Sequence, residues 1–176
     1  MDGGGVRTLA SITFLKLLEK EIGVKIHDKF DFFVGTSAGA ISSLALAAKS
    51  FSTIDLEDIW APRNLKKTMQ SSSWELKLGL LQSNPKYTNV GKREVLTNYF
   101  GKTTLGESNK PVAVLSYDIQ KRSPVLFRSY AEEDKDLSLV DVGDATSAAP
   151  IYYPTAKVGD RYLIAVSYTH LRAHET

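Results

Sequence analysis

Phe30-Asp31-Phe32-Phe33-Val34-Gly35-Thr36-Ser37-Ala38-Gly39, running on through Ala40 to Lys49, decides the fold. Phe30 to Val34 is a short, almost wholly apolar run that stops at Gly35, as a strand does before a turn. Ala38 to Lys49 is rich in Ala and Leu, residues that favour helix. Strand, tight turn and helix therefore follow in immediate succession. A strand buried on both faces and followed at once by a buried helix belongs to an α/β fold with a largely parallel sheet.

Upstream, Leu9, Ile12, Leu15, Leu17, Leu18 and Ile22 recur at roughly helical spacing, with Lys16, Glu19, Lys20 and Glu21 on the remaining face and Gly23 as a stop. Before this helix stands Met1-Asp2-Gly3-Gly4-Gly5, which lacks the basic start and apolar run of a signal peptide. A glycine cluster that turns a chain normally follows a strand, so a strand upstream of Met1 is expected. Downstream, residues 50–90 carry Pro62, Pro85, Gly79, Ser71-Ser72-Ser73, Trp60 and Trp74 with weak periodicity, and a cap is expected there. A helix follows over Lys92–Phe100. Strands are read at Pro111–Tyr117 and Ser123–Arg128, and a helix at Leu139–Ala148. Thr155–Val158 and Arg161–Ile164 flank Gly159-Asp160, a two-residue hairpin signal. Residues 165–176 change character, with two of the three histidines in the last seven positions. This reads as a tail foreign to a domain spanning 1–164.

The chain is 43% hydrophobic and 24% charged with net charge +2, the composition of one globular domain with a sizeable core. Nothing in it approaches the roughly 18 apolar residues of a membrane span, so a cytoplasmic location or one peripheral to a membrane is expected. Basic and acidic residues are interleaved throughout, which argues against a nucleic-acid partner. With no cysteine, covalent chemistry would fall to Ser, Thr, Asp, Lys or His. No acidic cluster resembles a calcium loop, and neither metal nor cofactor is expected. Oligomeric state has no signal here.

Gly35-Thr36-Ser37-Ala38-Gly39 is a G-x-S-x-G pentapeptide between an apolar strand and an Ala-rich helix, the context of a nucleophile elbow. Small residues on either side let the backbone bend, and the helix N-terminus favours developing negative charge. The rival reading is a serine that merely starts a helix. Asp2-Gly3-Gly4-Gly5-Val6-Arg7 ahead of a helix suits an anion-binding nest, and hence an oxyanion hole. A nucleotide loop is the alternative, but no Gly-Lys-Ser/Thr ending is present. A glycine turn leading into a helix is the plainer one.

These two blocks, with Ala145-Thr146-Ser147-Ala148-Ala149-Pro150, occur in the order and spacing of the signature blocks of the patatin-like phospholipases, which the chain resembles over nearly all of residues 2–164. The resemblance implies a three-layer α/β/α sandwich and a Ser-Asp dyad without histidine, acting on acyl esters of lipids. It implies Ser37 as nucleophile, Gly3, Gly4 and Gly5 as the oxyanion hole, Arg7 close by, and Gly35 and Gly39 shaping the elbow. Asp2 is not the family's catalytic acid; a turn or cap fits it better. Thr8 stands where the family usually has Gly, which leaves the glycine cluster intact. Family members follow a strand like Arg161–Ile164 with Asp-Gly-Gly or Asp-Gly-Ala, and this chain has Ala165-Val166-Ser167. The expected base is absent at Ala165, the domain is expected to be incomplete at both ends, and the chain to be an inactive hydrolase of marginal stability or a non-catalytic lipid and acyl binder.

No other residue replaces that base. Asp160 is a turn residue about 16 Å of strand away from position 165. His170 and His174 have the Ser, Asp, His order of α/β-hydrolases, but in that fold the elbow follows several strands and helices. Their spacing also lacks the glutamate of a zinc motif. His27 reads as a surface or capping residue.

Overall fold

The structure, a computed structural model, describes residues 1–71 and 85–166. A 3-10 turn at Gly5–Arg7 leads into α1 (Thr8–Ile22), followed by α2 (Ile26–Lys29), β1 (Phe33–Thr36) and α3 (Ser37–Lys49). Then come α4 (Thr53–Ile59), α5 (Pro62–Thr68), α6 (Val90–Phe100), β2 (Val112–Asp118), β3 (Ser123–Arg128), α7 (Leu139–Thr146), β4 (Ala156–Val158) and β5 (Arg161–Ile164). Local chemistry marks many of these boundaries. Gly23 closes α1 at φ 67° with its N–H on Glu19 O, the left-handed cap glycine adopts freely. Ser52 and Asp55 form a reciprocal capping box at α4, Pro62 opens α5, and the Ser138 hydroxyl caps α7.

In α1, Ile12 is fully buried, whereas Phe14 and Leu17 project into solvent. Leu17 lies five residues beyond Ile12 and so falls across the helix from it. The centre of the molecule is α3, buried from Ala38 to Ala48. A helix apolar all round has no solvent face to spare. Its two fully buried serines are satisfied internally: Ser42 Oγ accepts from Trp60 Nε1 at 3.3 Å, and Ser43 Oγ donates to Val34 O at 3.1 Å.

The sheet has five strands, in the order β1-β2-β5-β4, with β3 on β2. One edge of β2 carries β1 in parallel at 112–115 and then β5 in antiparallel at 117–118, while β3 runs antiparallel along the other edge. Met1 extends the parallel part: its amino group donates to Val34 O at 2.5 Å and its carbonyl accepts from Thr36 N–H at 3.2 Å. The sheet is thus mixed rather than largely parallel, because β2–β3 and β4–β5 are joined by short hairpins, which permit only antiparallel pairing. Gly159 turns the second hairpin at φ 57°.

Helices α3 and α7 pack against each other and against one face of the sheet, which supplies two of the layers of the three-layer α/β/α fold. The expectation that β1 is buried on both faces is corrected. Phe33 is 6% exposed beneath α3, but Val34, on the opposite face, is 45% exposed.

Candidate active site

The turn between β1 and α3 brings Ser37 to the surface of the sheet in a left-handed backbone conformation, φ 50°. For a residue with a side chain this costs of order 1–3 kcal/mol and persists only when the surroundings impose it. The constraints come from both sides. A side chain on Gly35 would place Cβ 2.6 Å from Ala40 Cα, and one on Gly39 would lie 2.4 Å from the carbonyl oxygens of Met1 and Asp2. Both outer glycines of the pentapeptide are therefore required by close backbone approach. The Ser37 N–H donates to Thr146 Oγ1 at 2.8 Å, and that hydroxyl donates in turn to Leu115 O at 2.6 Å.

The glycine cluster lies against this elbow. A Cβ on Gly3 would sit 3.0 Å from Ser37 Cβ. The Gly3 N–H is occupied, donating to Thr36 Oγ1 at 3.1 Å. Gly4 and Gly5, at φ 154° and 56°, have no hydrogen-bond partner for their N–H groups among the described residues. Asp2 is exposed, and Arg7 stands exposed where the 3-10 turn meets α1.

Gly3, Gly4, Gly5 and Ser37 line one cavity of about 830 Å³, whose remaining walls are chiefly apolar. Its volume lies within the roughly 300–1,000 Å³ of small-molecule sites. Helices α4 and α5 with the residue after each supply Ile59, Trp60, Leu65 and Met69, and α6 supplies Val95 and Leu96. A polar clasp holds these helices together: Asn64 Nδ2 donates to Tyr99 Oη and to Asp58 O, both at 2.8 Å, and Tyr99 Oη donates to Asp58 Oδ2 at 2.6 Å. The Tyr99 hydroxyl, and after it Arg63, hold the Asp58 carboxyl below the usual range. Tyr153 closes another side, its hydroxyl on Thr68 O at 3.0 Å and its acidity reduced by burial.

Lys92 is the cation in this wall. Its Nζ lies 2.8 Å from Asp144 Oδ1 and 4.2 Å from the centre of the Tyr153 ring, and only 4% of its side chain is exposed. Burial pushes its ammonium below the ordinary lysine range, and Asp144 opposes that shift. Neither Lys92 nor Thr146 was singled out from sequence. Lys92 stands three and four residues before the buried Val95 and Leu96, so a lysine on the apolar face of α6 was the available signal. Thr146 lies within the third signature block.

Ala165, at the expected place of a carboxylate, is fully buried beyond β5 with its N–H on Ala148 O at 3.0 Å. Ala148 directly follows the cavity residue Ser147. Asp160 is an exposed residue of the β4–β5 turn. His27 is not a surface residue: its side chain is 12% exposed, with Nδ1 3.3 Å from Phe51 O. His170 and His174 lie outside the described residues. No group of acidic, His or Cys side chains suited to a metal occurs among the described residues, and no described helix is long and apolar enough to cross a membrane.

A serine on a strained strand-to-helix turn, with a glycine turn packed against it and both lining a chiefly apolar cavity, is the arrangement of the elbow class of α/β folds. The profile of the patatin-like phospholipases matches residues 1–166. The chain belongs to that family. It is 32% identical to a cGAMP-activated phospholipase of Pseudomonas aeruginosa, over 94% of this chain and 50% of that protein. It is 29% identical to Patatin-like protein 1 of Arabidopsis thaliana, over 88% of this chain and 42% of that protein. The crystal structure of VipD from Legionella pneumophila shares the fold at 12% identity and TM-score 0.63, covering 93% of this chain and 44% of that one. The chain thus spans about half the length of the relatives it matches.

Proposed function

We propose that this domain carries a lipid acyl hydrolase site with Ser37 as its nucleophile, the reading supported above all by the left-handed Ser37 opening onto a large apolar cavity. In that reaction Ser37 Oγ forms a bond to the ester carbonyl carbon while its proton passes to a base. The resulting oxyanion is met by the N–H groups of Gly4 and Gly5, Gly3 serving to fix the turn. The tetrahedral intermediate collapses with loss of the alcohol, which takes up the proton, and water then cleaves the acyl-enzyme to release the fatty acid. The acyl chain lies along Ile59, Leu65 and Leu96; of the cap expected over 50–90, residues 72–84 lie outside the described residues. A membrane or other lipid surface is the source of the substrate.

The base is the Asp that the family resemblance places after β5. Here Ala165 stands in its place, which favours a second reading for the chain as it is: an acyl-binding domain without turnover. Without a base, oxyanion stabilisation and binding alone give about 10³- to 10⁴-fold acceleration over water, below what a standard ester assay detects.

The test is hydrolysis of a short-chain p-nitrophenyl ester. The chain itself is expected to show no turnover above buffer, and Ala165→Asp with Val166→Gly and Ser167→Gly to gain it. Adding Ser37→Ala should then abolish it, by up to about 10⁶-fold. Equal activity with and without the carboxylate would give the proton to another group, and survival of more than a tenth of the activity in Ser37→Ala would remove Ser37 from the mechanism.

A further inference from the structure

Ala149-Pro150-Ile151-Tyr152 closes a tight turn, with Tyr152 N–H on Ala149 O at 3.1 Å and Ile151 at φ 72°. Proline second and positive φ third is the pattern of a type II turn, whose third place calls for Gly or Asn. A β-branched residue there is the costly choice, because its Cβ crowds the backbone in the left-handed region. Ile151 gains little burial in exchange: it is 60% exposed, and Tyr152 beside it 46%.

The turn is firmly held. Ile151 O accepts from Lys86 N–H at 2.9 Å and Tyr152 O from Tyr87 N–H at 2.8 Å. The Tyr87 ring stacks on Tyr152 with centroids 6.3 Å apart, and Lys86 Nζ lies 5.3 and 5.9 Å from the two ring centres. Tyr87, Tyr152 and Tyr153 all line the Ser37 cavity, so the strained isoleucine stands at its rim.

We propose that Ile151, with Tyr152, Tyr87 and Lys86, anchors the mouth of the Ser37 cavity to an anionic phospholipid surface. The proposal rests on reading the cavity as an acyl site and says how that site reaches its ligand. An exposed isoleucine on a rigid turn enters the acyl region. Tyrosines, apolar in body and polar at the tip, suit the headgroup boundary. Lys86, which has no carboxylate partner among the described residues, meets anionic headgroups. The apolar rim is continuous with the apolar cavity, so an acyl chain leaving the bilayer reaches Ser37 without crossing water.

Co-sedimentation of the whole chain with phosphatidylcholine vesicles, with and without phosphatidylglycerol, tests this. Ile151→Gly and Ile151→Asn suit positive φ, so both should fold with a melting temperature at or above the parent's and still lose vesicle partitioning by about tenfold. Lys86→Gln should lose about fivefold on the phosphatidylglycerol vesicles and little on phosphatidylcholine alone. Parent-like partitioning of Ile151→Gly, or no partitioning by the parent, overturns the proposal. So does a dimer seen by light scattering that Ile151→Gly dissociates while vesicle binding is unchanged, since the patch would then join copies of the chain. Partitioning is read without turnover, and Ser37→Ala should partition as the parent does. Failure of the hydrolase reading would therefore leave this result intact, and the reverse.

Discussion

Ser37 is held in a conformation its own side chain disfavours, and the bond that holds it comes from far along the chain. Its N–H reaches Thr146 Oγ1, 109 residues away in sequence, and the same hydroxyl is tied to Leu115 O on β2. Thr146 is fully buried, so water is not available to replace it. Thr146→Val keeps the shape and removes the acceptor, and an unpaired buried N–H costs about 1–3 kcal/mol. Urea denaturation should show Thr146→Val less stable by that amount and Thr146→Ser close to the parent. Thr146→Ser proving less stable than Thr146→Val would mean that the methyl group, not the hydroxyl, secures the elbow. The glycines at 35 and 39 were legible from the pentapeptide; the constraint on Gly35 is local, from Ala40, whereas what presses on Gly39, the Met1 and Asp2 carbonyls, lies far upstream and was not legible. Thr146 was not, because its partner is fixed by how α7 meets β2, which no short motif encodes.

At the level of elements, α6 and α7 are joined by a charge network whose Lys92–Asp144 pair is buried and whose Lys92 lines the cavity. Lys92 pairs with Asp144 at 2.8 Å, and Arg93 bridges Asp144 at 3.1 Å and Asp141 at 2.7 Å. Both helices were read from the sequence, yet their pairing was not, since which acidic residue meets Lys92 depends on how α7 docks on α6. A buried pair adds little net stability, but removing one member leaves a charge without its counterion and costs about 3–5 kcal/mol. Lys92→Met should therefore destabilise strongly, with Arg93 retaining part of the Asp144 interaction. The double change Lys92→Met with Asp144→Leu should recover much of that loss, because no buried charge is then orphaned. Thermal denaturation of the parent, both single variants and the double variant gives the coupling. Simple addition of the two losses would show that the pair does not act as a unit.

For the molecule as a whole, a sequence pattern reports that a strand is apolar but not what lies against each face. Phe30 to Val34 was legible as a strand entering a buried helix; the strand stands there but is shifted, β1 beginning at Phe33 and running to Thr36 before α3. What covers the strand was not legible, because it depends on the topology of the whole sheet. Helices α3 and α7 cover the face bearing Phe33, Val112 and Val114, while Val34, Leu126 and Tyr162 on the sheet are 45%, 42% and 40% exposed. The register places Val34 beside Ala113 and Leu115 beside Leu126, so Val34 and Leu126 stand on the same face of the sheet. Exposed apolar side chains sharing a face invite association and recruit apolar dyes. The chain is thus expected to enhance the fluorescence of anilinonaphthalene sulfonate in native buffer while keeping the near-ultraviolet circular dichroism of fixed packing, which separates an open native face from a molten state. Val34→Thr with Leu126→Thr should reduce the dye signal and the tendency to aggregate, with melting temperature close to the parent's, since threonine is at home in strands. If the parent leaves the dye dark, or the double variant binds it as strongly, the exposed sheet face is not the surface the solvent meets.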